Sequence, residues 1–198
     1  MNQDADRNWA AQDDDALAMA VKAGELSAYD ELVRRHQARV YAVAYRFAGN
    51  REDALDIAQE ALFKAYQKIG SWKPRAGFVP WLMRITSNHA IDHLRRSKRQ
   101  RTVRLTEGYL SKEAITFRGR GVAQPEAAAR AEEIGQIVHQ ALDALSNAQR
   151  KVFVLRHYDG LQLAEIAEAL ECSVGSVKVH LFRAVRKLRL ELKDIRHL

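Results

Sequence analysis

Five side chains near the C-terminus could read a DNA duplex. Lys178, Val179, Phe182, Arg183 and Arg186 recur at helical spacing, opposite Val174, Val177, Leu181, Ala184 and Leu188. A charged helix face is ordinarily just solvated, but here an aromatic ring and a valine stand among the cations. That mixture suits a major groove, where cations meet phosphates or guanine edges and apolar groups meet thymine methyls. A second set lies mid-chain. Trp81, Arg84, Asn88, Asp92, Arg95 and Arg99 fall at steps of three and four, opposite Leu82, Ile85, Thr86, Ala90 and Leu94. A tryptophan and an asparagine in line with arginines suit stacking on, and hydrogen bonding to, unpaired bases, with phosphates held further along. The rival reading has Trp81 covering a neighbouring helix and the rest solvated. The preceding loop, Gly70 to Val79, carries Trp72, Lys73, Arg75 and Phe78. These supply further stacking and charge, although Trp72 would equally serve to close a core.

A third set is acidic. Asp53, Asp56 and Glu60 form a carboxylate stripe opposite Ala54, Ile57, Ala61 and Ala65, suited to a basic partner helix or simply to solvent. His89-x-x-Asp92-His93 places two histidines one turn apart, a spacing that can hold a metal. The glutamate that a zinc-protease helix places directly after the first histidine is missing, and Asp92 projects to the other face. The reading is therefore two partly buried, hydrogen-bonded histidines and no metal. Cys172 is the single cysteine, which excludes an intrachain disulfide and a cysteine-based zinc site. With no Gly-rich phosphate loop and no nucleophile elbow, the chain reads as lacking cofactors and not as an enzyme.

The elements that position these residues are helical throughout. Ser27 is placed to cap a helix carrying Leu32, His36, Val40, Val43 and Phe47 on one face and stopping at Gly49. Asn50 caps the next, which ends before Gly70. Pro80 fits the first position of a helix reaching Arg99. Periodicity fails from Gln100 to Gln124, where Gly108, Gly119 and Gly121 stand among Arg101, Arg104, Arg118 and Arg120; this stretch reads as a flexible basic linker. Pro125 starts another helix, and Ser146-Asn147-Ala148-Gln149 has the capping-box form. Helices over about 163–170 and 174–194 follow, with the short turn Glu171-Cys172-Ser173 between them. That is a helix-turn-helix.

The fold class is all-α: two small helical domains, 1–99 and 125–198, joined by the linker 100–124. The 198 residues are 47% apolar, enough for packed cores, and carry a formal net charge of +7. The charge is uneven. Asp4, Asp6, Asp13, Asp14 and Asp15 make the N-terminus acidic, whereas Arg95–Arg104 and Lys178–Arg196 are basic, as two contacts along a polyanion require. No secretory signal and no apolar run of membrane-spanning length is seen, so a soluble, cytoplasmic protein without membrane insertion is expected.

Two blocks of sequence resemble a known family. Glu52-Asp53-Ala54-Leu55-Asp56-Ile57-Ala58-Gln59-Glu60, Trp81-Leu82-Met83-Arg84-Ile85 and Ala90-Ile91-Asp92-His93-Leu94-Arg95-Arg96 look like the first domain of extracytoplasmic-function (ECF) sigma factors. Leu145 to Arg189, with Gly160-Leu161, Glu165-Ile166-Ala167 and Val174-Gly175-Ser176-Val177-Lys178, looks like their second. The resemblance implies an alternative sigma factor that binds core RNA polymerase and promoter DNA, with an anti-sigma factor as a further partner. By the same resemblance Asp53, Asp56, Gln59 and Glu60 dock on the polymerase clamp. The loop before Trp81, together with Asn88, captures an unstacked base of the minus-ten element. Lys178, Phe182 and Arg183 approach minus-thirty-five bases, while Arg186 lies further along. Three segments depart from the family pattern: Pro80 precedes Trp81 where threonine or a similar residue is usual, Gln162-Leu163-Ala164 replaces Ser-Tyr-Glu, and Val179-His180 stands where Ser and Arg are frequent. A rival class, a receiver-linked activator with a similar C-terminal helix-turn-helix, needs strands in its N-terminal half, and none is read there.

Overall fold

The computed structural model describes residues 8–106 and 125–193, and among these every regular element is helical. Helix α1 (Asp14–Lys22) begins where the Asp13 carboxylate accepts a hydrogen bond from the Ala16 N–H at 2.7 Å, and it buries Leu17, Ala18 and Val21. It was not expected from the sequence. Helix α2 (Leu26–Ala48) starts one residue before Ser27. The Ser27 hydroxyl accepts the indole N–H of Trp9 at 2.9 Å, so it anchors the 3-10 turn Trp9–Ala11 and does not cap the helix. Gly49 ends α2 with φ of 74°, and helix α3 (Arg51–Lys68) opens with Asn50 accepting from the Asp53 N–H at 2.9 Å, both as read.

The loop at 70–79 contains two 3-10 turns, Ile69–Ser71 and Pro74–Ala76, and helix α4 then runs from Phe78 to Thr106. Its start is fixed at a distance: the Asp15 carboxylate of α1 accepts the Phe78 N–H at 2.7 Å. That long-range cap places Pro80 third in the helix, not first. At its other end α4 continues past Arg99, so residues 100–106 belong to a helix of about 44 Å and not to the linker. Residues 107–124, with Arg118 and Arg120, lie outside the described residues, as do Asp4, Asp6 and Arg196.

Helix α5 (Pro125–Asp143) leads to α6 (Asn147–His157), whose capping box pairs Ser146 with Gln149 as expected. Helices α7 (Leu163–Ala169) and α8 (Val174–Glu191) form the helix-turn-helix, with Ser173 capping α8. The turn contains Glu171 at φ of 54°, the one non-glycine with positive φ among the described residues.

The two helical units also touch. One apolar cluster runs from Leu32, Phe47, Ile57, Trp72 and Leu82 into Val154, Leu155 and Ile166 of the second unit. A smaller one, around Leu142, Leu145, Ala184 and Leu188, holds α5 to α8. At the contact, buried Arg150 donates to the carbonyls of Arg46 and Phe47 at 3.0 and 2.9 Å, satisfying acceptors that the end of α2 leaves open. Gly49 is favoured here by its φ of 74°, and a Cβ would also lie 2.4 Å from the His139 imidazole of α5, which would have to swing aside.

Candidate nucleic-acid interface

The helix-turn-helix exposes the five side chains singled out in the sequence, although Val174, expected on the inward side, is itself 38% exposed. Val177, Ala184 and Leu188 of α8 are buried, and Lys178, Val179, Phe182, Arg183 and Arg186 are all exposed. Phe182 is 67% exposed and Val179 47%, so an aromatic ring and a branched side chain stand together in solvent among the cations of this face. On the opposite side of α8, Val177 joins the cluster that holds Ile166 and Ala167 of α7, while Ala184 and Leu188 pack with Leu142 and Leu145 at the end of α5.

The mid-chain set divides. Asn88, Asp92 and Arg95 are exposed on one side of α4, with Arg84 partly covered. Trp81 is not on that side: it is 5% exposed, its ring 5.7 Å from that of Phe78, which stands edge-on to Trp72 at 6.2 Å. Trp72 and Phe78 are themselves 1% and 2% exposed. The outward reading of Trp81 is therefore corrected, and the three aromatics form a packed wall behind the loop, not a stacking platform on it. The reason is directional. Helical side chains lean toward the N-terminus, so a residue in the first turn of α4 reaches back over the loop and not out along the stripe. Lys73 and Arg75 remain exposed at the loop tip.

On α3, Asp56, Gln59 and Glu60 are exposed, while Asp53 is half-buried and accepts from the Asn50 amide at 2.8 Å. The same face displays two apolar side chains that sequence reasoning missed, Leu55 at 40% and Phe63 at 54% exposure. Their signal was present: both fall off the Ala54–Ile57–Ala61–Ala65 stripe, so neither can be core. Between α3 and α4 runs a groove of ≈ 650 Å³ lined by Asp56, Gln59, Glu60, Phe63, His93 and Arg96. His89 is buried beside it, and its Nδ1 accepts from the Lys64 ammonium at 2.7 Å, which occupies that nitrogen. Burial first, and then the Lys64 charge, hold the His89 pKa below the ordinary imidazole value. His93 Nε2 stands 3.8 Å from the Asp53 carboxylate. No described helix is long and apolar enough to cross a membrane.

Comparison with known proteins bears on both units. Residues 32–100 match the family described as Sigma-70 region 2, and residues 135–188 that described as Sigma-70, region 4. The ECF RNA polymerase sigma factor SigW of Bacillus subtilis is 35% identical over 178 residues, covering 88% of this chain and 94% of that protein. The RNA polymerase sigma-H factor of Pseudomonas aeruginosa is 33% identical, over 87% of this chain and 90% of that protein. Among solved structures, CnrH in complex with the cytosolic domain of CnrY superimposes with a TM-score of 0.67 at 27% identity, over 91% of this chain and 97% of that one. The sigma factor RpoE of Bartonella quintana, solved with the anti-sigma factor NepR, shares the fold at a TM-score of 0.60 and 22% identity, over 83% and 96% of the two chains.

Proposed function

The chain belongs to the ECF sigma factors of the sigma-70 family, alternative sigma factors that bind core RNA polymerase and direct promoter-specific initiation, and from that membership we propose how its surfaces divide the work. The N-terminal unit docks on core polymerase through α3. Asp56, Gln59 and Glu60, with Asp53 at the edge, supply acidity for a basic partner helix, and Leu55 and Phe63 supply the apolar anchors that carry most binding energy at interfaces. The exposed side of α4 and the loop before it, namely Lys73, Arg75, Arg84, Asn88 and Arg95, hold the opened minus-ten strand, with Trp72, Phe78 and Trp81 bracing that surface from behind. The C-terminal unit reads the minus-thirty-five duplex through α8.

The observation that carries this reading is α8, whose cations and exposed Phe182 and Val179 share one outward face behind a short turn. The protein acts as an initiation factor and not as an enzyme, in the compartment that holds polymerase and DNA. Both solved neighbours were captured with a protein partner, NepR being an anti-sigma factor, so a dedicated inhibitor of that kind is part of the proposal. Transcription by purified core polymerase with and without this chain tests the whole. For the docking surface, the double change Asp56→Lys and Glu60→Lys should weaken core binding at least several-fold, mainly through a slower association rate. Core binding equal to the parent's would refute the α3 assignment.

A further inference from the structure

The loop that carries Lys73 and Arg75 is held at both ends by one helix, and that helix has no part in the surfaces assigned above. At the near end the Lys22 ammonium of α1 donates to the Trp72 carbonyl at 3.0 Å. At the far end the Asp15 carboxylate accepts the Phe78 N–H at 2.7 Å. Asp15 and Lys22 stand seven positions apart, so they share one face of α1, about 10 Å apart along its axis. Neither lies within residues 32–100, the stretch that matches Sigma-70 region 2. No local group could replace Asp15. Gly77, which immediately precedes α4, has φ of 68° and ψ of 151°, a conformation open to glycine alone, so a capping side chain is excluded there. Between the anchors lies the 3-10 turn Pro74–Ala76, closed by the Gly77 N–H on the Pro74 carbonyl at 3.0 Å. Helix α1 is itself made fast to α2. Arg35 donates to the carbonyls of Trp9, Ala10 and Gln12 and to the Asp14 carboxylate, all within 3.1 Å, and His36 Nε2 stands 2.8 Å from that carboxylate.

We infer that Asp15 and Lys22 are positioning residues for capture of the minus-ten strand, and that α1 acts through them on the loop 73–77 from behind. The Trp72 carbonyl belongs to the peptide unit that leads into Lys73, and the Phe78 N–H to the unit that leads out of Gly77. Burial of the Trp72 and Phe78 rings holds the ends of the loop in place but leaves these two planes free to turn. The hydrogen bonds from α1 fix them, and with them the direction in which Lys73 and Arg75 leave the core. Each bond has one charged partner, which makes it stronger than a neutral one. Strand affinity then scales with the fraction of molecules that hold the loop correctly, and a lost anchor lowers that fraction. The inference rests on the assignment of Lys73, Arg75 and Asn88 to the opened strand.

The test uses holoenzyme assembled from core polymerase and the full chain, and it reads discrimination. Promoter forks carrying the preferred or a substituted base are compared at each minus-ten position, and the ratio of their affinities is taken. Such a ratio is blind to the fraction of chain that folds, so a merely structural role for α1 leaves it unmoved. Asp15→Ala and Lys22→Met should each narrow the ratio about fivefold, the effect of one lost helix cap, with core binding unchanged. Asp15→Asn keeps an oxygen for the Phe78 N–H, Lys22→Arg keeps a donor for the Trp72 carbonyl, and both should retain the parent's ratio. Lys22 is exposed, so its truncation should yield folded protein even where that of Asp15 does not. A parent-like ratio in Lys22→Met or in folded Asp15→Ala would overturn the proposal, as would conservative variants as impaired as the truncations. Failure of the underlying assignment shows separately: parent-like ratios in Asn88→Ala and Arg75→Ala would remove the loop from strand capture, and the role of α1 with it.

Discussion

Asn88 is the one uncharged hydrogen-bonding side chain between Arg84 and Arg95 on the exposed stripe of α4. Its loss should therefore affect bases more than phosphates. Asn88→Ala should cost about 1 kcal/mol of promoter opening, roughly fivefold, with core binding unchanged, as permanganate footprinting of the holoenzyme would reveal. The aromatics behave differently. Trp72 fills the core, so its truncation should cost about 3–5 kcal/mol of stability and reach DNA only through unfolding. Two histidines set a pH response. His89 and His139 both titrate below the ordinary 6.5 in the fold, chiefly because burial disfavours the cation. Below 6.5 the unfolded chain binds protons that the folded chain refuses, so stability is full above that value and is lost as pH falls through the folded values. Denaturant midpoints should drop on acidification from about pH 8 to about pH 5.5, and His89→Gln, which keeps an acceptor for Lys64, should flatten the drop. At this scale the sequence carried the exposed polar residues well. It misplaced Trp81 because a helical wheel ignores the backward lean of side chains in a first turn.

Among the elements, α8 makes the sharpest demand. Lys178→Ala and Arg183→Ala should each relax preference at one base pair of the upstream element and cost about 1–3 kcal/mol there. Arg186→Ala should weaken all sequences alike and lower the salt slope by about one unit. Transcription on a library of upstream elements separates the two classes, and three unchanged preference profiles would remove α8 from the reader's role. Elements whose ends are marked locally were legible: Asn50 and Ser146 each cap the helix they precede, and Gly49 ends α2. Those fixed by distant contacts were not. Helix α1 is only nine residues long and hides in an acidic run, while the start of α4 is set by Asp15, sixty-three positions away. Its final turns lack an apolar stripe, so periodicity offers no sign that the helix continues.

For the whole molecule, the contact between units combines a small apolar seam with charged pairs of very different exposure. The Arg75 side chain is 94% exposed, whereas that of Asp159 is 2%. Exposed pairs are each worth under about 1 kcal/mol and fade as salt shortens the Debye length. The contact should therefore loosen before either unit unfolds. Small-angle scattering of the free chain should show a rising radius of gyration between about 0.05 and 0.5 M salt with helicity unchanged. A constant radius over that range would mean that the apolar seam and Asp159 hold the units together unaided. The mutual docking was not legible in the sequence, because Arg39, Arg150 and their partners are far apart in the chain and carry no shared periodicity.

Glu171 sits in a left-handed backbone conformation that costs a non-glycine residue about 1 kcal/mol or more. Drift alone should replace such a residue with glycine or asparagine, either of which rests there more comfortably. Selection of this chain for heat resistance should therefore converge on position 171. The survivors would melt later in the test tube and would lose the ion pair that Glu171 makes with Arg84 of α4. A few degrees of thermal tolerance and one ion pair between the two units are set against each other at one peptide unit.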